Sequence, residues 1–138
     1  MKLFTLFCFV AFVVADEDVF HNDPEYDATA YGFYPVQKYK TTDVVSPRIN
    51  VLQSSSKCSD LYTMLTPRGG MVSEASASIL DNKGHLIWTV GGYNQIYNLL
   101  VQEYNGEQYL TFWAGNDAVG GHGAGFYYMV GLPILALV

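Results

Sequence analysis

Residues 75–113, ASASILDNKGHLIWTVGGYNQIYNLLVQEYNGEQYLTFW, decide the fold. Short runs rich in Ile, Val, Thr, Tyr and Trp are divided by turn residues, the pattern of strands joined by tight connections. Asp81-Asn82-Lys83-Gly84 separates ASASIL from HLIWTV, and Asn105-Gly106 separates YNLLVQEY from EQYLTFW. Asn-Gly supports the positive backbone angles of tight hairpins, so both junctions are expected to be hairpins. The stretch therefore predicts one four-stranded antiparallel meander, with strands near 75–81, 85–90, 97–104 and 107–113.

Alternation along these strands says how they pack. Leu86, Trp88 and Val90 share one face of HLIWTV, while Leu110 and Phe112 oppose Tyr109, Thr111 and Trp113 in EQYLTFW. Both faces carry large apolar groups, which calls for cover on two sides, as in a sandwich or in stacked propeller blades. Four strands fill about the 40 to 45 residues of one blade. LYTML at 61–65 is then expected in a neighbouring sheet or in a closing blade, and the strand at 125–130 is expected to open the next sheet. The fold class is all-β: antiparallel meanders resembling one to two blades of an incomplete β-propeller. With so few blades, Trp88, Leu110, Phe112 and Trp113 are expected to stand exposed.

Outward from this segment, the chain divides into four parts. Residues 1–15, MKLFTLFCFVAFVVA, have a basic start, an apolar stretch and small residues at Val13 and Ala15 before Asp16-Glu17-Asp18. That order describes a secretory signal cleaved between Ala15 and Asp16, and the stretch is shorter than the roughly 18 to 20 residues of a membrane-spanning helix. No membrane span is expected after cleavage, and the protein is expected outside the cell. Residues 16–57 form an acidic, then Pro-punctuated lead-in in which only Ile49 to Leu52 reads as a strand. Residues 58–130 hold the strands, and 131–138 form an apolar tail.

Charge narrows the partners. The formal net charge is −6, and DEDVFHNDPEYD at 16–27 holds six carboxylates without a lysine or arginine. This cap reads as a solvated spacer. The chain has no basic stripe to follow a phosphate backbone, so nucleic acid is not an expected partner. His21, Asp23 and Glu25 lack metal-ligand spacing, and no metal or cofactor is implied. Once Cys8 leaves with the signal, Cys58 stands alone; it is either a buried inert thiol or one that pairs between molecules.

Two residues are candidates for chemistry. His122, flanked by glycines in NDAVGGHGAG, is either a nucleophile, base or anion donor at a loop, or a loop residue bonded to a backbone carbonyl. Arg68, in TPRGG, either binds an anion or closes its turn by bonding carbonyls. His85 starts an apolar strand directly after a turn and reads as an exposed or capping histidine.

The run from LYTMLTPRGG through ILDNKGHLIWT to YNLLVQEYNGEQYLTFWAG, then GGHGAGFYYM, resembles the N-terminal part of the arylsulfotransferase family in its secreted eukaryotic branch. The upstream YPVQKYKTTDVVSPRINVLQ is similar to that family's lead-in, so the resemblance covers about residues 34–130. It implies a β-propeller and sulfuryl transfer between phenolic sulfate esters and phenols, through a sulfated histidine in bacterial members. A phenolic or aryl sulfate is the implied ligand. His122 is not matched to the sulfated histidine. A propeller of four to eight blades of about 40 residues needs well over 150 residues. This 138-residue chain is therefore expected to be a truncated portion without independent catalysis. The alternative is a non-catalytic binding or adhesion module that pairs with a protein partner, or with itself, through an open sheet edge.

N-terminal sequencing of secreted material is expected to return Asp16 first; a sequence starting at Met1 would overturn the export reading.

Overall fold

The computed structural model describes residues 18–40, 43–57, 60–120 and 123–131. The lead-in holds more structure than its sequence pattern suggests. Strand β1 (Phe20–His21) pairs in parallel with β4 (Asn50–Val51), and β2 (Val36–Lys38) pairs antiparallel with β3 (Val45–Pro47). Between β1 and β2 lies the one-turn helix α1 (Pro24–Asp27), capped by the Asp23 carboxylate accepting from the Glu25 amide at 2.9 Å. Proline suits the first helical position because its missing N–H would be unpaired there in any case.

The acidic segment is therefore not wholly a solvated spacer. Val19 and Phe20 are buried, and Phe20 lies between the ring of Tyr31, stacked at 4.5 Å, and the edge of Tyr26 at 5.3 Å. The Arg48 guanidinium covers the Phe20 ring at 4.0 Å and donates to the Asp18 carbonyl at 2.7 Å. Two apolar residues among six acids are enough to fasten this end of the chain.

The remaining strands form two antiparallel meanders of three. The first joins β5 (Thr63–Leu65), β6 (Ala77–Leu80) and β7 (Leu86–Val90) in the order β5-β6-β7. The second joins β8 (Gln95–Tyr104), β9 (Glu107–Asn116) and β10 (Ala124–Gly131) in the order β10-β9-β8. Both expected hairpins are present. At the first, Gly84 has φ +89°, and the Asp81 carboxylate accepts from the Lys83 and His85 amides at 2.8 and 2.9 Å. At the second, Asn105 and Gly106 have φ of 54° and 80°, the pair of positive angles a two-residue hairpin loop requires.

The single four-stranded meander over 75–113 is corrected here, because β7 does not pair with β8. Gly91-Gly92-Tyr93-Asn94 carries the chain from one sheet to the other instead of reversing it within one. Gly92 takes φ +81°, and a side chain at Gly91 would meet the Glu74 carboxylate at 2.9 Å. LYTML thus belongs to the first sheet, and the strand near 125–130 completes the second. The fold is all-β apart from α1, built of small antiparallel sheets with no closed barrel among the described residues. No helix among them is long and apolar enough to cross a membrane.

The two larger sheets pack face to face. Ala77 and Ile79 of the first meet Ile96, Leu99, Leu110, Phe112 and Ala114 of the second in one core, with Trp88, Val90, Tyr93, Tyr128 and Val130 half-buried around it. The expected exposure of Leu110 and Phe112 is therefore also corrected: each is 1% exposed, because the first sheet covers them. Trp88 and Trp113 are half-buried. Inside the first sheet, the hydroxyls of buried Ser78 and half-buried Thr89 bond at 3.0 Å, which keeps the Ser78 side chain satisfied.

Phe112 is the centre of this packing, stacked on Tyr128 at 5.3 Å and meeting Tyr93 edge-on at 5.8 Å. Phe112→Ala is expected to cost about 3 to 5 kcal/mol, read as a lower urea midpoint with an unchanged slope.

Candidate functional site

Arg68 follows β5 in the sequence Thr66-Pro67-Arg68-Gly69, where Gly69 takes φ +117°. Its guanidinium lies over the ring of Tyr97 at 4.6 Å. Tyr97 sits on β8 where the register against β9 shifts between Tyr97 and Leu100, and Asn98 there has φ 56°. Such a bulge locally redirects the side chains around it. The Tyr97 hydroxyl donates to the Asp117 carboxylate in the loop after β9. Trp113, opposite Tyr97 on β9, approaches that ring at 5.3 Å and an interplanar angle of 45°.

Glycine makes room for the indole. A side chain at Gly125 on β10 would overlap the Trp113 ring and the Ala114 carbonyl. Three segments, the loop after β5, strand β8, and β9 with the start of the loop that follows it, thus bring Arg68, Tyr97, Trp113 and Asp117 into one cluster. A cleft of about 340 Å³ adjoins it, with Arg68, Glu74, Tyr93, Asn94 and Gln95 among its lining residues.

Electrostatics in the cluster are opposed. The hydrogen bond to Asp117, followed by desolvation, holds the Tyr97 phenol above its ordinary range, while Arg68 pulls it down. The cation of Arg68 is thus countered across one ring by a carboxylate. Within the lead-in, burial followed by the charges of Tyr26 and Glu74 pushes the Tyr34 phenol up to about 12.

The other sequence candidates separate from this site. His85 holds the Asp81 carboxylate at 3.1 Å through Nδ1 and approaches Asp18 at 3.8 Å through Nε2, so it serves the hairpin turn. Burial alone would raise the Asp81 carboxyl, but hydrogen bonds from His85 and Lys83 outweigh it and hold the group low. Asp23 is occupied by the α1 cap, and Tyr31 donates to both Asp23 and Glu25 at 3.0 and 3.3 Å. No group of three or more His, Cys, Asp or Glu is arranged to hold a metal ion among the described residues. His122, Cys58, Ala15 and Asp16 lie outside the described residues.

Sequence reasoning reached Arg68 and missed its neighbours. Tyr97, Trp113 and Asp117 carry no motif of their own; the available signal was a pair of glycine-bearing loops, TPRGG and NDAVGG, each holding one charged residue. Comparison with protein-family models, curated proteins and solved structures returned no match.

Asp117→Asn is expected to lower the Tyr97 pKa, followed by NMR of tyrosine ring carbons across an alkaline titration. Because the folded-state value is raised, the bond's contribution is full below about pH 10 and fades as pH climbs through that raised value. An unmoved Tyr97 titration would overturn the assignment of this bond.

Proposed function

We propose that the chain is a secreted arylsulfotransferase-like protein whose two larger sheets are partial blades of a β-propeller, and that it performs no sulfuryl transfer on its own. The observation that carries this reading is the stacking of two consecutive three-stranded meanders, face to face, through a crossover at Gly91-Gly92. Successive blades follow one another in the same way, each covering a face of the next. The outer face of the second sheet supports it further. Tyr97, Trp113 and Tyr127 form one cross-strand row there, and Leu100, Thr111 and Met129 form the next. A blade shows such a face to its neighbour.

The family's activity would move a sulfuryl group between phenolic oxygens. An aryl sulfate at Arg68 would find a cation and aromatic rings, which is a basis for binding. Chemistry needs more: a nucleophile, a group to manage its proton, and donors aimed at the oxygens where charge develops. Here Asp117 counters the one cation of the cluster through Tyr97. The proposed role is accordingly recognition without turnover.

The purified protein is expected to transfer no sulfate from 4-nitrophenyl sulfate to phenol above the uncatalysed rate. Turnover that disappears in His122→Ala would overturn the non-catalytic reading and assign the histidine. A second reading, a binding module that acts through an open sheet edge, is favoured by β10. That strand is eight residues long and has β9 on one side alone among the described strands.

A further inference from the structure

The two edges of the second sheet are protected unequally. β8 carries the Tyr97–Leu100 register shift, Asn98 at φ 56° and the charge of Glu103. Bulges and edge charges are devices that deter strand pairing. β10 has neither. Its sequence, AGFYYMVG, is uncharged and lacks proline, and it runs in unbroken register with β9 from Ala124 to Gly131. Phe126 and Tyr127 are 74% and 72% exposed, on opposite faces of the strand. The edge strands of the other sheets are only two to five residues long, so β10 is the one extended, uninterrupted edge among the described residues.

The order of residues within β10 identifies what fits it. About Tyr128, the uncharged segment GFYYMVG has glycine at both ends and a large aromatic on one side facing a smaller aliphatic on the other: Gly125 answers Gly131, Phe126 answers Val130, and Tyr127 answers Met129. Two copies placed antiparallel about a two-fold axis at Tyr128, normal to the sheet, set each matched pair opposite one another on a common face. Aromatic residues then meet a β-branched or flexible aliphatic partner, a favourable cross-strand combination. Glycine meets glycine at both ends. No like charges are brought together on the strand, despite the net charge of −6.

We propose that β10 is a dimerisation strand. A second copy of this chain pairs with it antiparallel, Tyr128 opposite Tyr128, and joins two three-stranded sheets into one of six. The contact is isologous and closed, so association stops at the dimer. The proposal rests on the open-edge reading and names its partner.

Sedimentation velocity on the secreted protein over about 1 to 100 μM, with reductant present so that Cys58 cannot link copies, tests it. A monomer–dimer equilibrium is expected. Tyr127→Lys places a charge beside Met129 of the second copy while leaving the inter-sheet core intact, and should raise the dissociation constant at least about tenfold, or about 1.4 kcal/mol. Tyr127→Phe should leave it unchanged. Met129→Lys, on the same face, should reproduce the loss if Tyr127→Lys fails to fold; far-UV circular dichroism identifies that failure. A monomer at every concentration overturns self-pairing, and if that monomer binds an unrelated strand peptide, the open-edge reading still stands. A dimer indifferent to both lysine variants, or growth into fibres, overturns the assignment to β10.

Discussion

Cover of Phe112 by the opposing sheet is the contact on which the rest depends. A three-stranded sheet with apolar groups on both faces needs a second layer, and each meander supplies it for the other. Ile79 and Ala77 come from one side; Ile96, Leu99, Leu110 and Phe112 come from the other. The glycine crossover at 91–92 makes this possible, because a hairpin there would have placed β7 and β8 side by side in one sheet and left the core without its lid. Tyr93, just past the crossover, closes the edge by packing on Phe112 and Tyr128.

The same arrangement creates the candidate site as a by-product of packing. Stacking the sheets brings the loop after β5 over β8, and with it Arg68 over Tyr97. On the same outward face as Tyr97, Gly125 lets Trp113 spread across the strand beside it. The cluster is held by shape and by one hydrogen bond to Asp117, with its charges opposed. A cation over the Tyr97 ring and a carboxylate at its hydroxyl thus meet through one phenol.

Local features were legible in the sequence because local chemistry determines them. Asn105-Gly106 and Asp81 to Gly84 specify hairpins by backbone angle alone, and the long strands on either side carry their own alternation. The division into sheets was not legible, since Gly91-Gly92 reads equally well as a hairpin or as a crossover. Everything dependent on that division was hidden too: the cover over Leu110 and Phe112, and the meeting of Arg68 with Tyr97 across 29 positions of sequence. Ile49 to Leu52 was legible as a strand and contains β4 (Asn50–Val51), whereas the docking of Phe20 among its carboxylates was not. The other strands of the lead-in, two or three residues each, are shorter than any periodic signal.

The turn at Gly84 has a consequence for the order of folding. A side chain there would sit 3.3 to 3.5 Å from Val19, Ile49 and Val51, so the lead-in rests directly on the β6–β7 hairpin. The partners of β1 and β4 are 30 residues apart, whereas each hairpin closes over two to five residues and forms in about 1 to 10 μs. The lead-in leaves the ribosome before its platform has been synthesised, yet it acquires a surface to settle on only after that hairpin has closed. The lead-in is thus among the last of the described parts to become native, and Phe20 gains its cover only once the hairpin beneath it has formed.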